Sequence, residues 1–189
     1  MTLKDLKTPL RNLTAGLGFA ASHLCAAATD AMLVHPVNTL LDNSISDAQN
    51  KAQSLAARRY YTFWNTGDAS FAKAALSDDF KDLNLPQGRP QGPQGPLQAS
   101  QHFREAVPDL KVKVIEMMMV SDRVIGRLHF TGHFTGKFMG QQGNGQIVDF
   151  SAVDIYRIAN GKIVENWHLE DNFTLLQQLD LVYLKTNNK

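Results

Sequence analysis

The segment that decides the fold is IANGKIVENWHLEDNFTLLQQL, residues Ile158–Leu179. It reads as strand, tight turn, strand and short helix. Asn160-Gly161 marks a two-residue hairpin, because both central positions of a type I′ turn need φ > 0. The strand after the turn alternates. With no bulge, Ile163, Glu165, Trp167, Leu169 and Asp171 share one face, and Val164, Asn166, His168 and Glu170 share the other. A solvent-facing strand has no need of a Trp and this many carboxylates. A strand lining a pocket can use both.

Four stretches alternate after Pro108-Asp109: residues 111–120, 123–131, 146–158 and 162–170. Upstream the period is helical. Residues 46–64 read as a helix, with Ser46 as its cap and Gly67 suited to a left-handed stop. Residues 69–76 and 97–106 read as shorter helices, and 172–184 as a C-terminal one. Helices followed by consecutive strands predict an α+β protein with a strongly curved antiparallel sheet wrapped on helices. Between them, PQGRPQGPQGP (86–96) lacks core-forming residues and several backbone donors. It is expected to be a mobile loop, either a connector or a lid over a cavity mouth.

Six segments stand in register: YYTFWNTGD (60–68), LSDDFKDLNLP (76–86), FREAVPDLKVKV (103–114), GHFTGKFMG (132–140), VDFSAVDIYRI (148–158) and GKIVENWHLEDN (161–172). Together they resemble the SnoaL-like polyketide cyclase (ester cyclase) family, whose fold is the NTF2-like, ketosteroid-isomerase-like cone. The resemblance spans residues 52–182. It implies a sheet closed by helices around an internal pocket, chemistry without a cofactor, and an apolar small-molecule ligand such as a polyketide-like carbonyl compound. The same fold hosts cyclases, isomerases, dehydratases and plain binding proteins. Two functions therefore stay open: a cyclase or isomerase-type enzyme, and a non-catalytic small-molecule-binding protein.

The resemblance also implies that Asp171, which follows Trp167 on the last strand, is the general acid/base. Such an acid needs an apolar pocket that raises its pKa. On the residues alone, Asp171 equally suits the N-cap of the helix that follows. His129, on a face with Arg127 and Thr131, and His133 are second candidates for proton transfer. The family's His in its TGTHTG-like stretch falls at Phe134, with His133 one place earlier and so on the opposite face. In the DHN-like stretch Leu83 stands where the family often has His, while Asp82 and Asn84 are kept; Asn84 is a substrate-binding candidate. Tyr60, Trp64, Phe138, Tyr156 and Trp167 are the aromatics able to line a cavity for a flat, ring-containing ligand. Asp154, Arg157 and Glu165 read as structural charges paired across strands. Met117 and Met119 share a face.

Other classes find little support. His102, His129, His133 and His168 lack ligand spacing and no CxxC occurs, so no metal site is expected. GQQGNGQ (140–146) opens no helix and is not a dinucleotide fingerprint. There is no GxSxG. A net charge of +1 without a basic stripe argues against nucleic acid. The single cysteine, Cys25, excludes an intramolecular disulfide.

Residues 1–49 read as an N-terminal extension and 50–189 as the domain. Within the extension, LTAGLGFAASHLCAAA (13–28) follows Lys4, Lys7 and Arg11, the outline of a signal peptide. His23 and Asp5 depart from that outline, and the run is too short to span a bilayer. The preferred reading is a helical extension on a cytoplasmic protein, with export as the alternative. A homodimer is expected, because apolar residues such as Val148, Val153 or Ile155 on the outer sheet face need cover.

Overall fold

The hairpin forms as read: Asn160 and Gly161 have φ of 50° and 70°, and Ala159 pairs with Lys162 across them. The computed structural model describes residues 31–185. By contacts the chain divides into two units, Met1–Met32 and Leu33–Lys189. The helical or signal-like segment at 13–28 and Cys25 lie outside the described residues.

The elements are β1 (Asn38–Leu41), α1 (Asp47–Thr66), α2 (Ala69–Ala75), β2 (Leu76–Asp82), α3 (Gln94–Ala106), β3 (Lys111–Val120), β4 (Arg123–Phe134), β5 (Lys137–Phe138), β6 (Gln141–Gln142), β7 (Gln146–Ala159), β8 (Lys162–Glu170) and α4 (Asn172–Gln178). Six strands form one sheet in the order β1-β3-β4-β7-β8-β2. Its four central strands pair antiparallel, as the alternation predicts. Both edge strands join parallel, β1 beside β3 and β2 beside β8. Each is far in sequence from its neighbour, and a parallel pair needs such a long crossover. β1 lies in the stretch that the sequence assigns to the extension. The result is the α+β, NTF2-like fold, with a curved open sheet and, among the described residues, four helices.

α1 begins where Ser46 Oγ accepts the Gln49 N–H at 3.2 Å. It ends at Gly67, whose φ of 78° lets its N–H reach the Phe63 carbonyl at 2.7 Å. Its buried side, with Ala56, Ala57, Tyr60, Tyr61 and Phe63, joins the sheet's inner face in one core. On β7 the inner face is Val148, Phe150, Ala152, Asp154, Tyr156 and Ile158, all buried. Val148 therefore belongs to the core and not to the outer face, which corrects one of the three residues on which the dimer expectation drew. Met117 and Met119 do share the buried face of β3.

A β-bulge then resets the last strand. Arg157 pairs with Glu165, but Ile158 pairs with Ile163, so Val164 is extra. A one-residue slip exchanges faces. Ile163 turns into the core together with Asn166, while Trp167 and Leu169 face outward and stay exposed. His168 and Glu170 follow Asn166 to the inner face.

The 86–96 loop is held at its middle. Gln91 Oε1 accepts the Asp82 N–H at 2.7 Å and its Nε2 donates to the Asp82 carbonyl at 3.0 Å. The loop is thus tied to β2 instead of hanging free, and α3 starts inside it, at Gln94. No helix among the described residues is long and apolar enough to cross a membrane.

Candidate active site

Between the sheet's inner face and helices α1, α3 and α4 lies a cavity of about 410 Å³. Its wall is largely aromatic. Phe130 and Phe150 stack with centroids 5.0 Å apart and planes 7° apart, and Phe103 meets Phe150 edge-on at 6.1 Å. Trp64 and Phe138 complete it, with Leu175 from α4 below. A smaller cleft of about 100 Å³, lined also by Tyr60, Asp82 and Asn84, shares Trp64, Pro86, Arg89, His168, Glu170 and Asn172 with it. Those six residues mark the junction.

The polar centre is a chain of side chains on β7 and β8. Asp154, 2% exposed, accepts three hydrogen bonds: from Tyr156 Oη at 2.7 Å, Asn166 Nδ2 at 3.1 Å and His168 Nδ1 at 2.7 Å. The other ring nitrogen of His168, Nε2, faces Glu170 Oε2 at 3.4 Å. Burial by itself pulls the His168 pKa down. The Asp154 charge and hydrogen bond, with those of Glu170, outweigh it and lift the pKa to about 10. His168 is therefore a cation at neutral pH, with a carboxylate at each nitrogen. Burial, reinforced by the Asp154 charge, raises the Tyr60 and Tyr156 pKa values, so both phenols keep their protons as donors.

The residues expected from sequence divide between this site and elsewhere. Trp64 and Phe138 line the main cavity, and Tyr60 and Asn84 the smaller cleft. Asn84 also donates its Nδ2 to the His168 carbonyl at 2.7 Å, fixing the strand that carries the histidine. Tyr156 touches the site through Asp154. Trp167 does not join them; the bulge turns it to the outer face.

Asp171 is corrected. It is the N-cap of α4, and its carboxylate accepts the Thr174 N–H at 3.0 Å and the Thr174 hydroxyl at 2.7 Å. Those bonds hold its pKa below the ordinary value, opposite to the expected rise, and it lines neither cavity. His129 is likewise turned away. Its Nε2 meets Asp149 Oδ1 at 2.5 Å on the outer face, and His133 pairs with Asp109 at 2.7 Å.

Sequence reasoning passed over His168, Glu170, Arg89 and His102, and filed Asp154 as a structural charge. The available signal was the alternation Asn166, His168, Glu170, opposite an acid that stands between apolar residues on the neighbouring strand. Arg157 and Glu165 do form the expected structural pair, at 2.7 Å. Among the described residues no cluster of three or more His, Cys, Asp or Glu is arranged to hold a metal ion.

The family profile of SnoaL-like polyketide cyclases matches residues 54–179. A candidate polyketide cyclase from Bacillus cereus ATCC 10987 is 38% identical, with a TM-score of 0.73 over 80% of this chain and 95% of that one. A candidate hydroxylase, AclR from Streptomyces galilaeus, is 29% identical, with a TM-score of 0.62 over 75% and 91%. IdmH, a candidate polyketide cyclase from Streptomyces antibioticus, is 26% identical, with a TM-score of 0.61 over 68% and 98%. No curated protein matches the chain.

Proposed function

Because this chain belongs to the SnoaL-like polyketide cyclase family, we propose that it is a cyclase or isomerase-type enzyme that works on an apolar carbonyl compound with its own side chains. His168, held by Asp154, takes the acid role that sequence reasoning gave to Asp171, and Glu170 is the base. The observation that supports this reading is the Asp154–His168–Glu170 chain, standing where the two parts of an aromatic cavity meet.

The steps follow from the protonation states. Glu170 takes a proton from a carbon next to a carbonyl, and the His168 Nε2–H hydrogen-bonds to the carbonyl oxygen as negative charge develops there. In a cyclisation the carbanion carbon bonds to a second carbonyl carbon, and the oxygen of that carbonyl takes the Nε2 proton. The proton on Glu170 then passes to Nε2 across the 3.4 Å gap and restores the site. Asp154 fixes the ring's orientation through Nδ1.

The test uses 2-tetralone, an apolar bicyclic ketone. The protein should accelerate hydrogen–deuterium exchange at its α-carbons above the buffer rate, read by NMR. His168→Gln should abolish that acceleration while calorimetry still detects binding, and Asp171→Asn should leave both intact. Binding without exchange in the wild-type protein would overturn catalysis in favour of a small-molecule-binding protein.

Assembly is part of the same reading. Ile147, Trp167 and Leu169 are exposed on the outer sheet face beside half-buried Val153 and Ile155. A second copy covering this face is the proposed homodimer.

A further inference from the structure

Arg89 carries a charge that no acceptor among the described residues binds directly. It is half-buried and lines both the main cavity and the smaller cleft. Its guanidinium has no hydrogen-bond or ion-pair partner among the described residues, although Glu170 lines the same junction. Its charge nevertheless acts on the Tyr60 phenol, opposing the upward push of burial there. A guanidinium offers five N–H donors in a planar fork and no acceptor.

The surrounding loop holds Arg89 in that place. Gln91 pins the loop to β2 on one side. On the other, the chain folds back on itself so tightly that a Cβ on Gly95 would lie 2.4 Å from the Pro90 carbonyl oxygen. The same Cβ would lie 3.4 Å from Arg89 Cγ and 3.5 Å from its Cδ, so the Arg89 stem runs across the bare glycine.

We propose that Arg89 is an anion-recognition residue and that the ligand carries a carboxylate beside its apolar ring system. The inference rests on the reading of this cavity as a substrate site. The planar fork of a guanidinium matches the two oxygens of a carboxylate. The charge count favours a single negative charge. Asp82, Asp154, Glu170, His168 and Arg89 sum to −1, so a monoanion leaves the two spaces at −2 and a phosphate dianion at −3, with three carboxylates already present. The aromatic wall takes the rings, and the carboxylate sits at the junction, which brings the adjoining carbons toward His168 and Glu170.

The probes are 2-naphthoate, its neutral methyl ester and naphthyl phosphate, titrated calorimetrically into the full chain. Wild-type protein should bind 2-naphthoate about tenfold or more tightly than the ester, and more tightly than the phosphate. Arg89→Gln should erase the preference for the acid and leave ester affinity unchanged, with an unaltered melting temperature confirming the fold. Arg89→Lys, which keeps the charge but not the fork, should recover only part of it. Equal affinity for acid and ester in the wild type, or an equal loss of both in Arg89→Gln, would overturn the role of Arg89 and leave the cavity reading standing. A preference for the phosphate would overturn the carboxylate assignment. Failure of all three probes to bind would overturn the cavity reading as well.

Discussion

Raising the pH from 6.5 to 9 should remove about 3 kcal/mol of stability through one imidazole. An unfolded histidine titrates at about 6.5, whereas His168 in the fold titrates at about 10 because Asp154 and Glu170 outweigh the burial of its ring. Between those values the folded protein holds a proton that the unfolded chain releases, so stability falls as pH rises. The stabilisation is complete below about pH 6.5, declines by about 1.4 kcal/mol per pH unit above it, and is gone beyond about pH 10. Two and a half units give the figure of about 3 kcal/mol. The assay is urea unfolding of wild type and His168→Gln at pH 6.5 and pH 9; the difference between the two proteins cancels the titrating groups that do not contact His168. At a slope of about 2 kcal/mol per molar urea, the gap between their midpoints should shrink by about 1.5 M. An unchanged gap, or an imidazole that NMR finds titrating below pH 7, would refute the ion pair on which the proposed acid depends.

Three further outcomes follow from the same packing. Gly126→Ala would put a Cβ 2.1 Å from the Tyr61 hydroxyl oxygen, so it should cost about 1–3 kcal/mol in thermal unfolding, and adding Tyr61→Phe should recover part of that. Asp171→Ala should lower the melting temperature by a few degrees through loss of the α4 cap, Asp171→Asn by less, and neither should alter exchange of 2-tetralone. Light scattering at micromolar concentration should give twice the 21.0 kDa chain mass, and Trp167→Glu should halve it; a monomeric wild type contradicts the dimer.

Much of the fold was legible because its signals are local. Asn160-Gly161, Ser46 and Gly67 each act within a few residues, through a positive φ or one capping bond. Central strands announced themselves by alternation, since one face of each is buried. The edges gave no such signal. β1 is four exposed residues, NTLL, and its pairing with β3 joins positions 78 residues apart. Nothing in Asn38–Leu41 itself selects that neighbour. The Pro- and Gly-rich loop misled for a related reason. Its composition suits a free chain, but one glutamine side chain reaches back to Asp82 and supplies what a strand partner would otherwise provide.

The site was half legible, and a single residue separates the two halves. The expectation that a Trp and several carboxylates mark a pocket-lining strand picked the right strand. It assigned Trp167 and Asp171 to the pocket because alternation was counted from Ile163 without a bulge. Val164 breaks that count, so Ile163 and Asn166 face inward together, and His168 and Glu170 follow. A bulge leaves the composition of a strand unchanged, which is why a period-two reading cannot see it. Its trace lies in the partner strand. Asp154 stands two residues from Tyr156 and two from Ala152 on a face that is otherwise apolar, and a buried carboxylate there needs donors. The adjacent β8 can supply two of them, Asn166 and His168, only in the bulged register. In the unbulged one, Glu165 and Trp167 would face Asp154, adding a second charge and a ring with a single N–H where the acid needs several donors. The requirement of one buried acid thus selects the register, and the register selects which histidine meets the ligand.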